Sequence, residues 1–111
     1  MAGKPMVKEE ALQSSSITTS HSVNYNNNHL YKRGNFCELT VNLTMTSAVD
    51  AYGNVGTIPE GYRPKNISYF VGETTNGTYT TASVFPDGRL TTSKAIASGG
   101  FLSFSGTYYS E

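Results

Sequence analysis

The stretch "CELTVNLTMT" constrains this chain more than any other. Cys37, Leu39, Val41, Leu43 and Met45 alternate without a fault against Glu38, Thr40, Asn42, Thr44 and Thr46. Side chains along a strand point to opposite faces in turn, so this period of two gives one apolar and one wet face. It is the pattern of an antiparallel strand laid over a core. It also makes Cys37 a small buried hydrophobe rather than a reactive thiol.

The same period recurs along the chain. Ile17, Thr19, His21, Val23 and Tyr25 fall on one side, and Thr18, Ser20, Ser22 and Asn24 on the other. "NNN" at Asn26 to Asn28 then reads as a loop or hairpin tip. "DAYGNVG" reads as a loop and "ETTNG" as a turn, with Ile67, Tyr69 and Val71 facing one way between them and Ser68 and Phe70 the other. "TYTTASVFPDGRLTTSK" predicts a hairpin. Pro86 presets φ at the second turn position, Asp87 tolerates the third, and Gly88 closes the turn in the left-handed conformation. In "GGFLSFSGTYYS", Leu102, Phe104 and Tyr108 share a face, with Gly106 as a bulge or close-packing point.

These segments amount to roughly six or seven strands at about 8–12-residue spacing, which predicts an all-β antiparallel sandwich or barrel. Ser and Thr make up roughly a quarter of the chain, a composition of strands and turns. Residues 1–14 are expected to be a tail or attachment segment, with one short helical turn over Lys4 to Gln13. Residues 15–111 are expected to form the β domain.

Several function classes drop out. A chain of 111 residues is one domain at most. Formal net charge is zero with 14% charged residues, which argues against nucleic-acid binding and against a polybasic membrane anchor. No apolar run approaches the roughly 18 residues that span a bilayer, and "MAGKPMVKEEALQ" holds no apolar signal-peptide core. The single cysteine excludes an internal disulfide framework. His21 and His29 have no nearby cysteine or matched carboxylate, a poor zinc set. There is no Gly-x-Ser-x-Gly elbow, no phosphate-cradling glycine loop before a helix, and no evident close pair of acids. The expectation is a protein that is not an enzyme and carries no cofactor or metal. Asn-x-Ser/Thr matches at Asn42, Asn66 and Asn76 are what chance gives in so Ser/Thr-rich a chain.

What survives is a supply of Tyr, Asn, Ser, Thr and Gly. Tyrosine offers a flat apolar face and a hydroxyl, and Asn and Ser adapt their hydrogen bonds. Saccharides present the same mixture of C–H faces and hydroxyls. The candidate ligand-binding positions are Tyr52, Tyr62, Tyr69, Tyr79, Tyr108 and Tyr109, with Arg63, Asp87 and Arg89 as polar partners. The competing reading puts about half of these tyrosines in the core or a subunit interface.

The run "GTIPEGYRPKNISYFV", followed by "FPDGRLT" and "GGFLSFSGTYYS", resembles the C-terminal head or tip domains of bacteriophage tail-fibre, baseplate and receptor-binding proteins, especially from phages of Gram-positive bacteria. The resemblance covers about residues 35 to 110: the strand Cys37 to Thr46, the corner Ile58 to Pro64, the strand Ile67 to Val71, the turn at Asp87 and Gly88, and the final strand Phe101 to Tyr109. It implies a jelly-roll or Greek-key sandwich, a homotrimer, and binding to host cell-surface or cell-wall polysaccharide. Other tail or virion proteins are the further partners it implies. The location it implies is the virion, assembled in the bacterial host cytoplasm, with no nucleic acid bound and no membrane insertion expected. Within the corner, Pro59, Gly61, Tyr62, Arg63 and Pro64 read as architectural, with Arg63 bonding carbonyls exposed at a sheet end. Two alternatives stay open: a virion decoration protein that binds other virion proteins and no sugar, and an accessory carbohydrate-active enzyme or its binding module.

Overall fold

The computed structural model describes residues 11–75 and 77–110. Among them the chain forms no helix and nine strands: β1 (Gln13–Ser15), β2 (Thr18–Thr19), β3 (Val23–Arg33), β4 (Phe36–Met45), β5 (Asn54–Thr57), β6 (Ser68–Thr75), β7 (Thr78–Val84), β8 (Arg89–Thr92) and β9 (Phe101–Tyr109). They join in one sheet of order β1-β3-β4-β9-β6-β7-β8-β5-β2, curled into a half-barrel, and every strand pair is antiparallel. Only Ser16 and Ile17 separate β1 on one edge from β2 on the other, so the curl brings the two edges together.

The core lies inside the curl. Leu39, Val41, Leu43 and Met45 of β4 are fully buried, as the alternation requires. Leu30 of β3 meets them from one side and Leu102 and Phe104 of β9 from the other, while Val84 and Leu90 come from the far half of the sheet. Fully burying a Leu, Val or Ile contributes roughly 1.5–3 kcal/mol. Cys37 is free and buried within this cluster. The Pro86-Asp87-Gly88 hairpin is present: the Gly88 N–H donates to Phe85 O at 2.8 Å and Gly88 has φ 96°.

The structure corrects several sequence expectations. Asn26 to Asn28 are not a loop but the middle of β3. Asn is a poor strand former alone, but tertiary pairing with Val41 and Leu43 of β4 carries it here. Asn28 is buried, and its Oδ1 accepts the Ile17 N–H at 2.6 Å, tying the edge segment to β3. A bulge between Val23 and Tyr25 explains why those two do not share a face. The extra residue shifts the alternation, so Val23 packs on the core and Tyr25 faces solvent. Only Asp50 to Gly53 of "DAYGNVG" is a turn, and the rest enters β5. The expected tail ends earlier than Ser14, because β1 begins at Gln13; the rest of the expected helical turn, over residues 4–10, lies outside the described residues. The count of strands exceeds the expected six or seven because β1, β2 and β5 are too short to carry a periodic signal.

Candidate functional site

One end of the sheet collects most of the sequence-derived candidates. The corner and the β7–β8 hairpin dock there as one unit. The Ile58 N–H donates to Gly88 O at 2.7 Å, and the Tyr62 N–H donates to Pro59 O at 3.1 Å across a turn with Gly61 at φ 91°. Arg63 Nε donates to Ile58 O at 2.9 Å. A Cβ on Gly88 would lie 2.6 Å from Arg63 Nε and 2.7 Å from Ile58 O, so the guanidinium sits where only a glycine leaves room. The carbonyl-bonding role expected of Arg63 is therefore what its geometry shows.

Beneath the corner, the Tyr108 hydroxyl donates to Tyr62 O at 2.6 Å, and Cys37 Sγ lies 3.9 Å from the same carbonyl. Tyr108 is only 6% exposed. Burial, and after it the neighbouring Cys37, pushes its hydroxyl above the usual phenol range. Its ring and hydroxyl are thus committed to holding the corner in place. Lys32 reaches the corner from β3, donating through Nζ to Gly61 O with its ammonium 5.9 Å from the Tyr62 ring centroid.

At the hairpin tip, Asp87 Oδ1 accepts the Arg89 N–H at 3.1 Å and its Oδ2 pairs with Arg89 Nε at 2.9 Å. These bonds hold the exposed Asp87 carboxyl below its usual range, and the charge of Arg63 adds a smaller pull. The Arg89 guanidinium also lies 4.2 Å above the Phe85 ring, a cation–π contact. Tyr62, Arg63, Asp87 and Arg89 therefore share one end of the molecule, with Glu60 and Pro86 beside Arg63 around an open cavity of about 310 Å³. A second groove, of about 460 Å³, runs along Lys65, Asn66, Ser68, Thr107, Tyr108 and Tyr109.

Tyr69 and Tyr52 lie apart from that cluster. Tyr69 stands exposed on the outer face of β6, opposite Ser83. Tyr52 is at the far end of β8, where its N–H donates to Thr92 O at 2.8 Å; it is 73% exposed with φ 62°. That left-handed conformation is uncommon for a bulky residue. The pattern reading missed Glu60 beside Arg63, and Tyr25 and Tyr31 on the outer face. The β3 bulge concealed Tyr25, and the reading of Asn26 to Asn28 as a loop ended the strand before Tyr31; for Glu60, its place three residues before Arg63 in a tight corner was the available signal. Among the described residues no group of three or more His, Cys, Asp or Glu side chains could hold a metal ion. His29 instead stacks on Tyr31 with ring centroids 6.0 Å apart. No protein-family model matches this sequence, and no curated protein matches it either.

Proposed function

We propose that this domain is a saccharide-binding head of a bacteriophage tail fibre or baseplate, carried on the virion and acting as a binder rather than an enzyme. The observation that carries the reading is the outer face of the curled sheet. Tyr25, Tyr31, Tyr69, Tyr79 and Tyr109 stand exposed there, interleaved with Thr40, Asn42, Thr81, Ser105 and Thr107. Flat rings set among hydroxyl and amide groups, on a chain of zero net charge, suit neutral sugars with C–H faces and many hydroxyls.

We read the two halves of the curl, β1-β3-β4-β9 and β6-β7-β8-β5-β2, as the layers of a sandwich. Among the described residues their ladder is joined at the pair Glu73 and Ser103. The path supports a Greek key: β6, β7 and β8 follow one another by hairpins, and β5 lies beside β8 after a long connection through the corner. Ile67, just before β6, and Tyr69 and Val71 on it form an exposed apolar stripe, and assembly into a trimer that leaves this face open would multiply weak sugar contacts by avidity.

The test is retention on purified Gram-positive cell walls. Tyr69→Ala with Tyr79→Ala should reduce retention at least tenfold without moving the thermal midpoint, and the solution mass should be that of three chains. Retention unchanged in the double variant would remove the sheet face from the site. The same apolar stripe favours a second reading, a virion decoration protein docking on other virion proteins. A trimer that ignores cell walls from every host tested would favour it.

A further inference from the structure

The cavity beside the corner carries a more specific assignment, which rests on the saccharide reading above. It is lined by Glu60, Gly61, Arg63 and Pro86 and measures about 310 Å³, at the lower end of the range of small-ligand pockets. Arg63 is fixed in it from behind. Its Nε is committed to Ile58 O, and its guanidinium carbon lies 3.0 Å from where a Gly88 Cβ would be. The Nη groups have no hydrogen-bond partner among the described residues, and neither does the exposed Glu60 carboxylate. The lining residues therefore carry a planar set of donors, fixed through Nε, and a carboxylate with no partner among the described residues.

Charge decides what such a pair would take. Within the lining Arg63 is matched by Glu60; of the other charges at this end, Arg89 is paired with Asp87 and the Lys32 ammonium is committed to Gly61 O. An anion entering the cavity would meet Glu60 as well as Arg63, so the pull of the guanidinium is offset within the lining. A pair of neighbouring sugar hydroxyls meets no such penalty. Each hydroxyl is both donor and acceptor: one accepts from the guanidinium and the other donates to the carboxylate. The Pro86 ring supplies an apolar wall for a sugar C–H face. We infer that Arg63 and Glu60 form a clamp for the vicinal diol of one neutral sugar unit, a subsite separate from the tyrosines of the sheet face.

Titration of the full isotopically labelled chain with neutral methyl glycosides of the gluco, galacto and manno series, followed by amide and arginine side-chain NMR, tests this. At least one glycoside should shift the Gly61 and Gly88 amides and the Arg63 Nε–H saturably, with a Kd in the millimolar range. Glu60→Gln, at an exposed position with no partner to lose, should weaken that affinity about tenfold, the effect of deleting one charge-assisted hydrogen bond. Arg63→Lys keeps the charge and removes the planar donors, and should lose saturation; because it also loses the Ile58 contact, Glu60→Gln is the deciding variant. No saturable shift at these positions, or equal affinity in Glu60→Gln, overturns the clamp. Tighter binding of glucuronate or inorganic phosphate at the same signals overturns the neutral-diol assignment in favour of an anion site. Glycosides that move only the Tyr69 and Tyr79 signals leave the sheet-face reading intact and end this one. Shifts at Gly61 and Gly88 without any cell-wall retention do the reverse.

Discussion

Strands β4 and β6 look alike in sequence and are used in opposite senses. In β4 the apolar side of the alternation, Leu39 through Met45, faces the core. In β6 the richer apolar side, Tyr69 and Val71 with Ile67 just before them, faces solvent, and Val71 is 76% exposed. The inward side of β6 is Phe70, Gly72 and Thr74. The difference is decided across the sheet. Phe70 lies over Gly106 of β9, where an added Cβ would come 2.1 Å from the ring, and its ring centroid lies 5.7 Å from that of Phe104 and 6.3 Å from that of Tyr108. A glycine on one strand thus fixes which face of another turns inward, and an apolar stripe is left outside for other work. Alternation identifies two faces; the partner strand chooses between them.

The sharpest way to break this contrast is a matched pair of truncations. Leu43→Ala should cost about 2–5 kcal/mol through the cavity it leaves, whereas Val71→Ala should stay within about 0.5 kcal/mol. Urea unfolding of the two variants checks both values, and similar losses would contradict the assigned faces. Next in size, Gly106→Ala should cost about 1–3 kcal/mol by displacing the Phe70 ring. The penalty should shrink in a Phe70→Leu background, a coupling that a double-mutant cycle measures.

Tyr108 sharpens the comparison from the inner face of β9. Tyr108→Phe should cost about 0.5–1.5 kcal/mol for the lost bond to Tyr62 O. Its raised hydroxyl pKa also sets a direction. The stabilisation is fully present below the unfolded tyrosine value near pH 10 and is lost as pH rises toward the folded value. Urea midpoints above pH 10 should therefore fall more steeply in the native protein than in Tyr108→Phe.

The smallest effect belongs to Asp87 at the hairpin tip. Its lowered pKa places its contribution above the usual aspartate range and removes it as pH falls through the folded value. Asp87→Asn should lower the thermal midpoint slightly at pH 7 and make no difference at pH 2. A constant gap at both pH values would assign the effect to turn geometry instead of charge.

Much of the core was legible because it rests on local rules. The alternation of β4, the Pro86-Asp87-Gly88 turn and the close-packing role of Gly106 each follow from a few adjacent residues. What escaped depends on partners distant in the chain. Asn28 becomes a strand residue because Ile17 and β4 satisfy it, and the β3 bulge reverses the faces of everything after Val23. The candidate site divides the same way. The corner's stiffness and the bonding role of Arg63 could be read from "IPEGYRP", but the approach of that corner to Gly88 and Tyr108 is a product of the curled sheet. Tyr108, one of a run of tyrosines in sequence, is committed to the interior while Tyr109 beside it is open.

The brief segment Gln13 to Thr19 covers both margins of the β-structure, pairing with β3 at one and β5 at the other. Removing it would uncover two rows of unpaired peptide groups in one stroke, each a template for another chain. A few residues near the start of the fold thus act as its latch, and colloidal behaviour as well as stability hangs on keeping that latch shut.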